Sequence, residues 1–450
     1  MRIARSGLAV AACLWAAPAG ADEAALLEKI ERLERRIEEL EGRLPPSPAE
    51  ASPAQPGPWE SGASRWADRV RVSGSANTGY FKGQEDTFFD PGSFEIWDAR
   101  LFVDAELGDA VELGGTRVLR NLGLTFEWDL VRIGTLSNQV GELYVDFQSV
   151  FDSSWLSFQV GRFQIPVGEN YLRFSQGYWR NPFVTNTLGG PWWWDEGVRV
   201  YGSTPDGRLG YVASVSDGET PFNADRDGDV QGTLKLFADP TPWLHVSASA
   251  LRSGGIGSDS SPALGALWLG ESWARAFGSG TALPNFSGGA MVPDGPNALD
   301  HTWLVAGDAI AALPGLGQLW LAYGRYAIDS DGPGLYDRTL HYWIAELLLE
   351  GGLVSELLEP LFLGLRADGL GTYDRDEGYL LDSRYASRLG YNMESITAYS
   401  AVLGWRLFRT VTLRAQFTHQ DIGLVRGVTP EMRGAARDAD FFALEVGAHF

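Results

Sequence analysis

The sequence predicts an all-β fold, a sixteen-stranded antiparallel transmembrane β-barrel preceded by a coiled-coil helix. After the first twenty or so residues no run of about 18 consecutive apolar residues appears, which argues against transmembrane helices. From Arg69 onward, apolar and polar residues alternate with the period of a β-strand. Because only helices and closed barrels satisfy every backbone group in lipid, these two observations together favour a closed barrel.

The start of the chain has the pattern of a secretory signal peptide, predicted over residues 1–21. Arg2 and Arg5 precede an apolar run at 7–17, and small residues lead up to a cleavage site near Ala21. Cys13 is the single cysteine, so the mature chain would have neither a disulfide nor a cysteine-ligated metal. An alternative is a lipoprotein, with residues 10–13 as the lipidation box. The expected location is the outer membrane of a Gram-negative cell.

Residues 22–44 have the apolar spacing of a short coiled coil, which we predict to lie in the periplasm. About three heptads are marginal alone, so association would have to stabilise the helix, and Ile/Leu seams permit trimers. The alternative is a single amphipathic helix. Proline, alanine and serine dominate residues 45–68, which predicts an extended linker before the barrel at 69–450.

Sixteen candidate strands follow from the alternation. They start near residues 70, 94, 119, 141, 155, 197, 208, 230, 243, 301, 317, 341, 360, 396, 410 and 440. After the fourth strand, short connections such as 204–207 alternate with long ones such as 252–300, which is typical of outer-membrane barrels. Aromatic residues near strand ends predict the interfacial girdles of such a barrel. These residues are Trp128, Trp155, Trp243, Trp303, Tyr323 and Phe450.

The long connection at 164–196 carries the candidate pore constriction. It ends in three consecutive tryptophans, Trp192, Trp193 and Trp194, which are unlikely to extend into water. In a wide barrel the protein surface available for their packing is the lumen, where a loop narrows the channel and side-chain charge sets selectivity. The alternative is a loop folded over the outer rim or against a neighbouring subunit.

A resemblance supports this interpretation. The stretch GRFQIPVGEN at 161–170 through Arg199, after VDF at 145–147, resembles the equivalent region of the phosphate-selective porin O and P family. The coiled coil with its Pro-rich linker, the chain length and Phe450 are also similar. The resemblance implies a homotrimeric sixteen-stranded porin whose third external loop folds into the channel. Family members known for phosphate carry many lumen arginines and lysines, whereas this chain has a modest set.

Positive charges predicted in the lumen or beside the constriction are the candidates for solute contact, because arginine forks suit anions such as phosphate. The set is Arg100, Arg162, Arg173, Arg180, Arg199, Lys235, Arg366, Arg406 and Arg414. Asp195 and Glu196 end the constriction segment, and further carboxylates share the lumen phase of the second to fourth strands. They are Asp98, Asp104, Glu106, Glu127, Asp129, Glu142 and Asp146. Opposed charges would create a transverse field across the pore; alternatively they are salt bridges that hold the barrel interior.

Several classes of function are disfavoured. A formal net charge of -22 argues against nucleic-acid binding. The five histidines lie far apart, and no hydrolase, zinc-helix or phosphate-loop motif occurs, so we expect neither an enzyme nor a cofactor. Residues 223–229 imitate the start of a calcium loop, but Leu236 occupies the position that requires glutamate, so no metal site is expected.

The sequence therefore predicts a porin for passive diffusion of small hydrophilic solutes, with anions such as phosphate as candidates. Its expected partners are those solutes, outer-membrane lipid and two further copies of the chain. One alternative is a sugar-type or general porin, in which the tryptophans form an aromatic track. Another is a structural barrel that tethers the outer membrane to the cell wall through residues 22–44.

Overall fold

A computed structural model describes the barrel and parts of its connections. The described residues are 69–83, 92–108, 110–132, 135–170, 172, 181–188, 194–217, 230–253, 299–313, 315–330, 338–355, 358–372, 380–381, 391–424, 426 and 438–450. The chain divides into two units, 1–65 and 66–450. The predicted signal peptide, coiled coil and linker lie outside the described residues. None of the described helical segments is long and apolar enough to cross a membrane.

The described chain is almost entirely β-structure, and sixteen strands form one antiparallel sheet. These are β1 (Val70–Gly83), β2 (Ser93–Gly108), β5 (Asn121–Arg132), β6 (Thr135–Gln148), β7 (Ser157–Gln164), β8 (Trp194–Ser203), β9 (Leu209–Ser216), β10 (Gln231–Thr241), β11 (Leu244–Arg252), β12 (Leu299–Leu313), β13 (Gly317–Ser330), β14 (Arg338–Glu350), β15 (Leu361–Thr372), β17 (Tyr391–Phe408), β18 (Val411–Leu424) and β19 (Asp438–His449). Three short strands complete the set: β3 (Val111–Leu113), β4 (Thr116–Leu119) and β16 (Leu380–Leu381).

Each barrel strand pairs with the next, and β19 pairs with β1, so the sheet closes into a ring. Ser75 lies opposite His449 in the closing pair, and the backbones of Gly74 and Phe450 exchange hydrogen bonds of 3.2 and 3.1 Å. The predicted sixteen-stranded barrel is confirmed. The largest error in a strand start is at β6, which begins at residue 135 where the alternation predicted 141, a difference of six residues.

Alternation places one face of each strand outward and the other toward the lumen. On β13, Leu321 and Tyr323 are exposed, whereas Trp320 and Ala322 between them are buried. The last strand shows the same pattern, with Phe442 and Leu444 exposed and Glu445 buried. A continuous apolar outer face suits a hydrocarbon solvent, which favours apolar side chains as much as a protein core does.

One residue departs from the predicted faces. The alternation placed Trp97 with Ala99 and Leu101 on the apolar outer face. The pairing of β1 with β2 shifts register between Asn77 and Thr78, and Trp97 is the extra residue of this bulge. Its ring lies 5.3 Å from that of Phe81, and both side chains are buried. A bulge interrupts the period of two, so the prediction for Trp97 was wrong.

Aromatic side chains ring the outer face near both ends of the strands. Trp155, Trp243 and Phe450 are exposed at the end where the described chain enters and leaves the barrel. Trp128 and Trp303 are exposed toward the opposite end. Amphipathic rings at two levels are the arrangement expected where hydrocarbon meets headgroups.

The two ends of the barrel differ in their connections. We call the end with the tight turns at 204–208, 242–243 and 409–410 the terminal rim, because Val70 and Phe450 also lie there. The opposite end, which we call the loop rim, carries the chain intervals 165–193 and 253–298. Short turns on one rim and long connections on the other follow the predicted alternation after the fourth strand.

Candidate solute pathway

The connection at 165–193, which we call the inner loop, contacts the inward faces of distant strands. Its first described part, 165–170, meets β10 to β12. The backbone N–H of Gly168 donates to the Ser249 hydroxyl at 3.0 Å, and Lys235 Nζ donates to the Gly168 carbonyl at 2.6 Å. Ser249 and Lys235 share the lumen phase, since Leu234 and Leu236 on either side of Lys235 are exposed outward. The start of the inner loop therefore lies inside the barrel.

Glu169 is the centre of this contact. Its carboxylate lies 2.6 Å from Lys235 Nζ and 2.9 Å from His245 Nε2. The second ring nitrogen of His245 lies 2.6 Å from Asp239. Burial alone would raise the pKa of Glu169, but the hydrogen bond and charge of His245 and of Lys235 outweigh burial and lower it below its ordinary value. Glu169 is thus an ionised group that holds the inner loop to the barrel wall. We call Lys235, His245 and Glu169 the first anchor.

A second anchor lies across the lumen, where residues 181–188 of the inner loop meet β15 and β18. Arg414 Nη1 donates to the carbonyl oxygens of Asn181 and Phe183 at 2.8 and 3.0 Å. Arg366 donates to the carbonyls of Thr185 and Asn186 at 3.0 and 2.9 Å. Both guanidinium groups thus bind loop backbone that strand hydrogen bonds cannot satisfy.

Carboxylate and amide side chains complete this anchor from the wall. Asp368 accepts the N–H of Leu188 at 2.6 Å, and Gln416 accepts that of Val184 at 2.6 Å. Arg414 also pairs with Glu445. These groups are buried, so removing one partner would leave another without compensation.

Apolar packing supports the same segment. Phe183 is buried against Phe362 and Val402 on the inner wall, and the guanidinium of Arg366 lies 4.4 Å from its ring centroid. Gly404 opposite leaves room for the Phe362 ring, because a Cβ there would lie 1.9 Å from it. The described inner loop thus occupies the half of the lumen bounded by β10 to β19, which we call the filled half.

The other half, bounded by β1 to β9 and closed at its edge by the end of β19, contains a cavity of about 630 Å³. We call it the open half. Side chains of both charges and several hydroxyl or amide groups line the cavity: Arg71, Ser73, Asp104, Thr125, Glu142, Tyr144, Gln159, Arg199, Tyr201 and His449. Leu172 of the inner loop borders it. A cavity with charged and hydrogen-bonding groups in its wall suits hydrated solutes.

Arg199 and Glu142 meet the same residue at the edge of this cavity. Arg199 Nη1 donates to the Gln164 carbonyl at 3.1 Å, and the Gln164 N–H donates to Glu142 at 3.3 Å. Arg199 Nε also donates to Gln159 at 2.7 Å. In the described part of the chain Arg199 forms no ion pair. A cationic and a carboxyl side chain therefore border the cavity side by side, where the inner loop begins.

Carboxylates predominate on the inner wall of the open half. Among its described side chains the inward-facing acids are Glu95, Asp98, Asp104, Glu106, Glu127, Asp129, Glu142, Asp146 and Asp195, and the bases are Arg71, Arg100 and Arg199. Arg100 is held by Asp98 at 3.0 Å and by Glu127 at 3.3 Å. Arg100 thus lies on the lumen side as predicted, where it belongs to a structural ion-pair network.

Two predicted constriction residues face outward. Arg162 pairs in register with Glu196, and the two side chains form an ion pair with a 2.7 Å hydrogen bond from Arg162 Nε. They share a strand face with Val160 and Val198, which are exposed on the outside. Gln159 and Arg199 point inward. Arg162 and Glu196 each lie three residues from one of them, and an odd number of residues along a strand places a side chain on the opposite face. The prediction placed both residues in the constriction because they flank the loop in sequence, and this placement was wrong.

The remaining predicted residues fall in three places. Arg406 forms a two-pronged ion pair with Glu350 near the terminal rim, at 2.6 and 3.1 Å. Asp195 is buried on the inner face and accepts a hydrogen bond from Gln231 at 3.3 Å, and Trp194 beside it is buried at the start of β8. Arg173, Arg180, Trp192 and Trp193 lie outside the described residues.

Sequence reasoning missed the partners that hold the inner loop. Glu169 was read only as part of a family-like stretch, and His245 as one of five scattered histidines. Asp368 and Gln416 carried no signal, because nothing in a single sequence pairs them with a loop some 180 residues or more away. Among the described residues no group of His, Cys, Asp and Glu could hold a metal ion. Residues 223–229 are outside them.

Comparison with known proteins gives a fold. No protein-family model matches the chain, and no curated protein matches it in sequence. Among solved structures, it is similar to OmpT, an outer membrane protein of Vibrio cholerae in its trimer form, with a TM-score of 0.51 and 10% identity over 85% of this chain and 99% of that one. It is similar also to the outer membrane channel DcaP of Acinetobacter baumannii, with the same TM-score and identity, over 85% and 97%. The fold is that of the β-barrels of these outer-membrane proteins.

Proposed function

We propose that this protein is an outer-membrane porin through which small hydrophilic solutes diffuse passively along the open half of the lumen. The observation that carries the proposal is the 630 Å³ cavity, lined in part by charged and hydrogen-bonding side chains, beside an inner loop that is anchored to the opposite wall. The described part of the loop, held by a buried ion pair, narrows the barrel and leaves this cavity beside it. The proposal assigns no enzymatic activity and no cofactor.

Neighbouring residues on β9 provide a matched test. Val212 lines the cavity, and Ala213 faces outward with Leu234 opposite it in register. Val212→Trp should lower the single-channel conductance of the purified protein in planar bilayers, whereas Ala213→Trp should leave it unchanged. Equal conductance in both variants would refute this pathway. The absence of conductance steps with the unchanged protein would refute the porin.

Phosphate preference remains a prediction from the sequence. Arg366 and Arg414 bind loop carbonyls, Arg100 and Arg406 bind carboxylates, and these contacts occupy much of the forks that an anion would use. A sugar-type porin with an aromatic track also remains a prediction, because Trp192 and Trp193 are not described. Block of conductance by added phosphate, or saturable uptake of sugars into liposomes, would revive either one.

The proposed setting is the outer membrane, with lipid against the apolar outer face. A homotrimer is part of the proposal, since the similar OmpT structure is of a trimer form. Cross-linking and mass measurement of the detergent-solubilised protein test this state. The predicted periplasmic coiled coil and the tether to the cell wall are tested by deleting residues 22–60. Retained conductance with loss of envelope integrity would favour the tether.

A further inference from the structure

The charges of the open half point to the class of solute that it passes. We infer that the pathway favours cations, including small organic ammonium compounds, over anions, with Asp104 as a determinant of this preference. The inference rests on the proposed porin function and names its selectivity. It reverses the anion preference that the arginine content predicted.

The first argument is the imbalance of charge on the inner wall. Carboxylates outnumber guanidinium groups about three to one among the inward-facing charges of β1 to β8 described above. Arg366 and Arg414, the described bases of the second anchor across the lumen, do not neutralise this excess, because they are already paired with Asp368 and Glu445. A lumen wall with excess negative charge raises the local concentration of cations and lowers that of anions.

The second argument is how the bases of this wall are bound. Arg100 lies between Asp98 and Glu127 and is almost fully buried. Arg199 donates to Gln159 and to the Gln164 carbonyl, and it is more than nine-tenths buried. An anion would have to displace these contacts before either guanidinium could receive it. Both groups act mainly as fixed parts of the wall.

The third argument is the state of Asp104. Its carboxylate lines the cavity and is exposed there, and it accepts one hydrogen bond, 2.8 Å from the Thr125 hydroxyl. In the described part of the chain Asp104 has no ion-pair partner. Asp146 on the same wall accepts hydrogen bonds from the Tyr201 hydroxyl and the Gln148 amide instead of pairing with a cation. Asp104 is therefore the carboxylate best placed to meet a passing cation.

The test is the reversal potential of the full chain in a planar bilayer under a KCl gradient at low salt. We expect a potential of the sign for K⁺ over Cl⁻, and Asp104→Asn should lower the permeability ratio about two- to threefold, the effect of one charge about 7 Å away in water. Asp206→Asn is the matched control, since it removes the same charge from an exposed turn on the terminal rim. Its ratio should stay the same.

Three outcomes would overturn the inference: preference for Cl⁻, no response to Asp104→Asn, or equal responses to the two variants. Liposome swelling separates this failure from failure of the porin. A neutral polyol, an alkylammonium salt and a carboxylate salt of equal size should enter in the order ammonium, polyol, carboxylate. Entry of the polyol with no charge preference would refute selectivity and keep the channel, whereas no entry of any solute would refute both.

Discussion

In the filled half, Lys235, Arg366 and Arg414 bind carbonyl oxygens of the inner loop, whereas in the open half Arg199 borders a cavity. All four occupy the same lumen phase of their strands. What separates them is whether the inner loop reaches them, since Arg199 donates instead to Gln164 at the end of β7. Whether a lumen charge binds the loop or borders the open cavity thus depends on where the connecting loop crosses, and strand periodicity alone does not show this.

The largest effect is expected from the second anchor. Arg414→Gln removes a charge that binds Glu445 and two loop carbonyls in a buried setting. The loss of folding stability should be about 3–5 kcal/mol, because the buried carboxylate of Glu445 loses its partner. Denaturant unfolding of the purified barrel, followed by circular dichroism, measures it. Arg117→Gln, in an exposed pair with Asp152 on the terminal rim, should change stability by about 0–1 kcal/mol. Equal losses would remove the distinction between anchor and surface pair.

A somewhat smaller effect is expected from the apolar contact of the same loop. Phe183→Ala vacates the space between Phe362 and Val402, at a cost of about 3 kcal/mol. Because the loop then loses its packing, single-channel conductance should rise and its noise should increase. Phe151→Ala, at an exposed residue of the terminal rim, should alter neither quantity. An unchanged conductance in Phe183→Ala would mean that this contact does not position the loop.

The first anchor should respond to pH. The pKa of Glu169 is lower in the folded protein than its ordinary value of 4.5, so its contribution is complete above that value and is lost as pH falls through the lowered pKa. As pH falls through this lowered pKa, we expect closures or noise in single-channel recordings because the loop is released. Glu169→Gln should show such noise at neutral pH and respond less to acid. Identical acid profiles for the two proteins would exclude Glu169 as the group that titrates.

The smallest effect is expected within the filled half itself. Arg406 pairs with Glu350 near the terminal rim, where both side chains are partly exposed, and no loop carbonyl among the described residues accepts from it. Arg406→Gln should cost about 0–1 kcal/mol, in contrast to Arg414→Gln. Chemical unfolding under the same conditions gives the comparison. A loss as large as that of Arg414→Gln would show that burial in the loop contact is not the deciding factor.

The barrel was predictable from the sequence because its solvent enforces a local rule. Every strand must present apolar residues outward at every second position, so strands such as β13 and β19 can be identified from a single sequence. The prediction failed where this local rule is interrupted, as at the bulge that turns Trp97 inward. It also failed where a residue was assigned by its closeness to the loop instead of by its phase, as for Arg162 and Glu196.

The anchors were not predictable in the same way. Gln416 binds Val184 across an interval of 232 residues, and the choice of that partner depends on where the loop crosses the lumen. A glutamine, an aspartate and a carbonyl oxygen carry no sequence pattern that pairs them. The charges Arg366 and Arg414 were found, but their role as loop ligands required coordinates. The acidic residues of β2, β5 and β6 are visible in the sequence, but the arginines predicted anion contacts instead.

The hydrogen bonds between Gly74 and Phe450 join the two ends of the described barrel. Contacts between residues far apart in sequence form slowly, and every other strand pair of the barrel joins neighbours in sequence. The pair of β1 and β19 can therefore form only after β19 has been synthesised. Until then both strands expose unpaired N–H and C=O groups, and an unpaired edge invites pairing with other chains. The interval between synthesis and closure is therefore when this protein is most prone to aggregate, and shielding of its first and last strands matters more than shielding of any other pair.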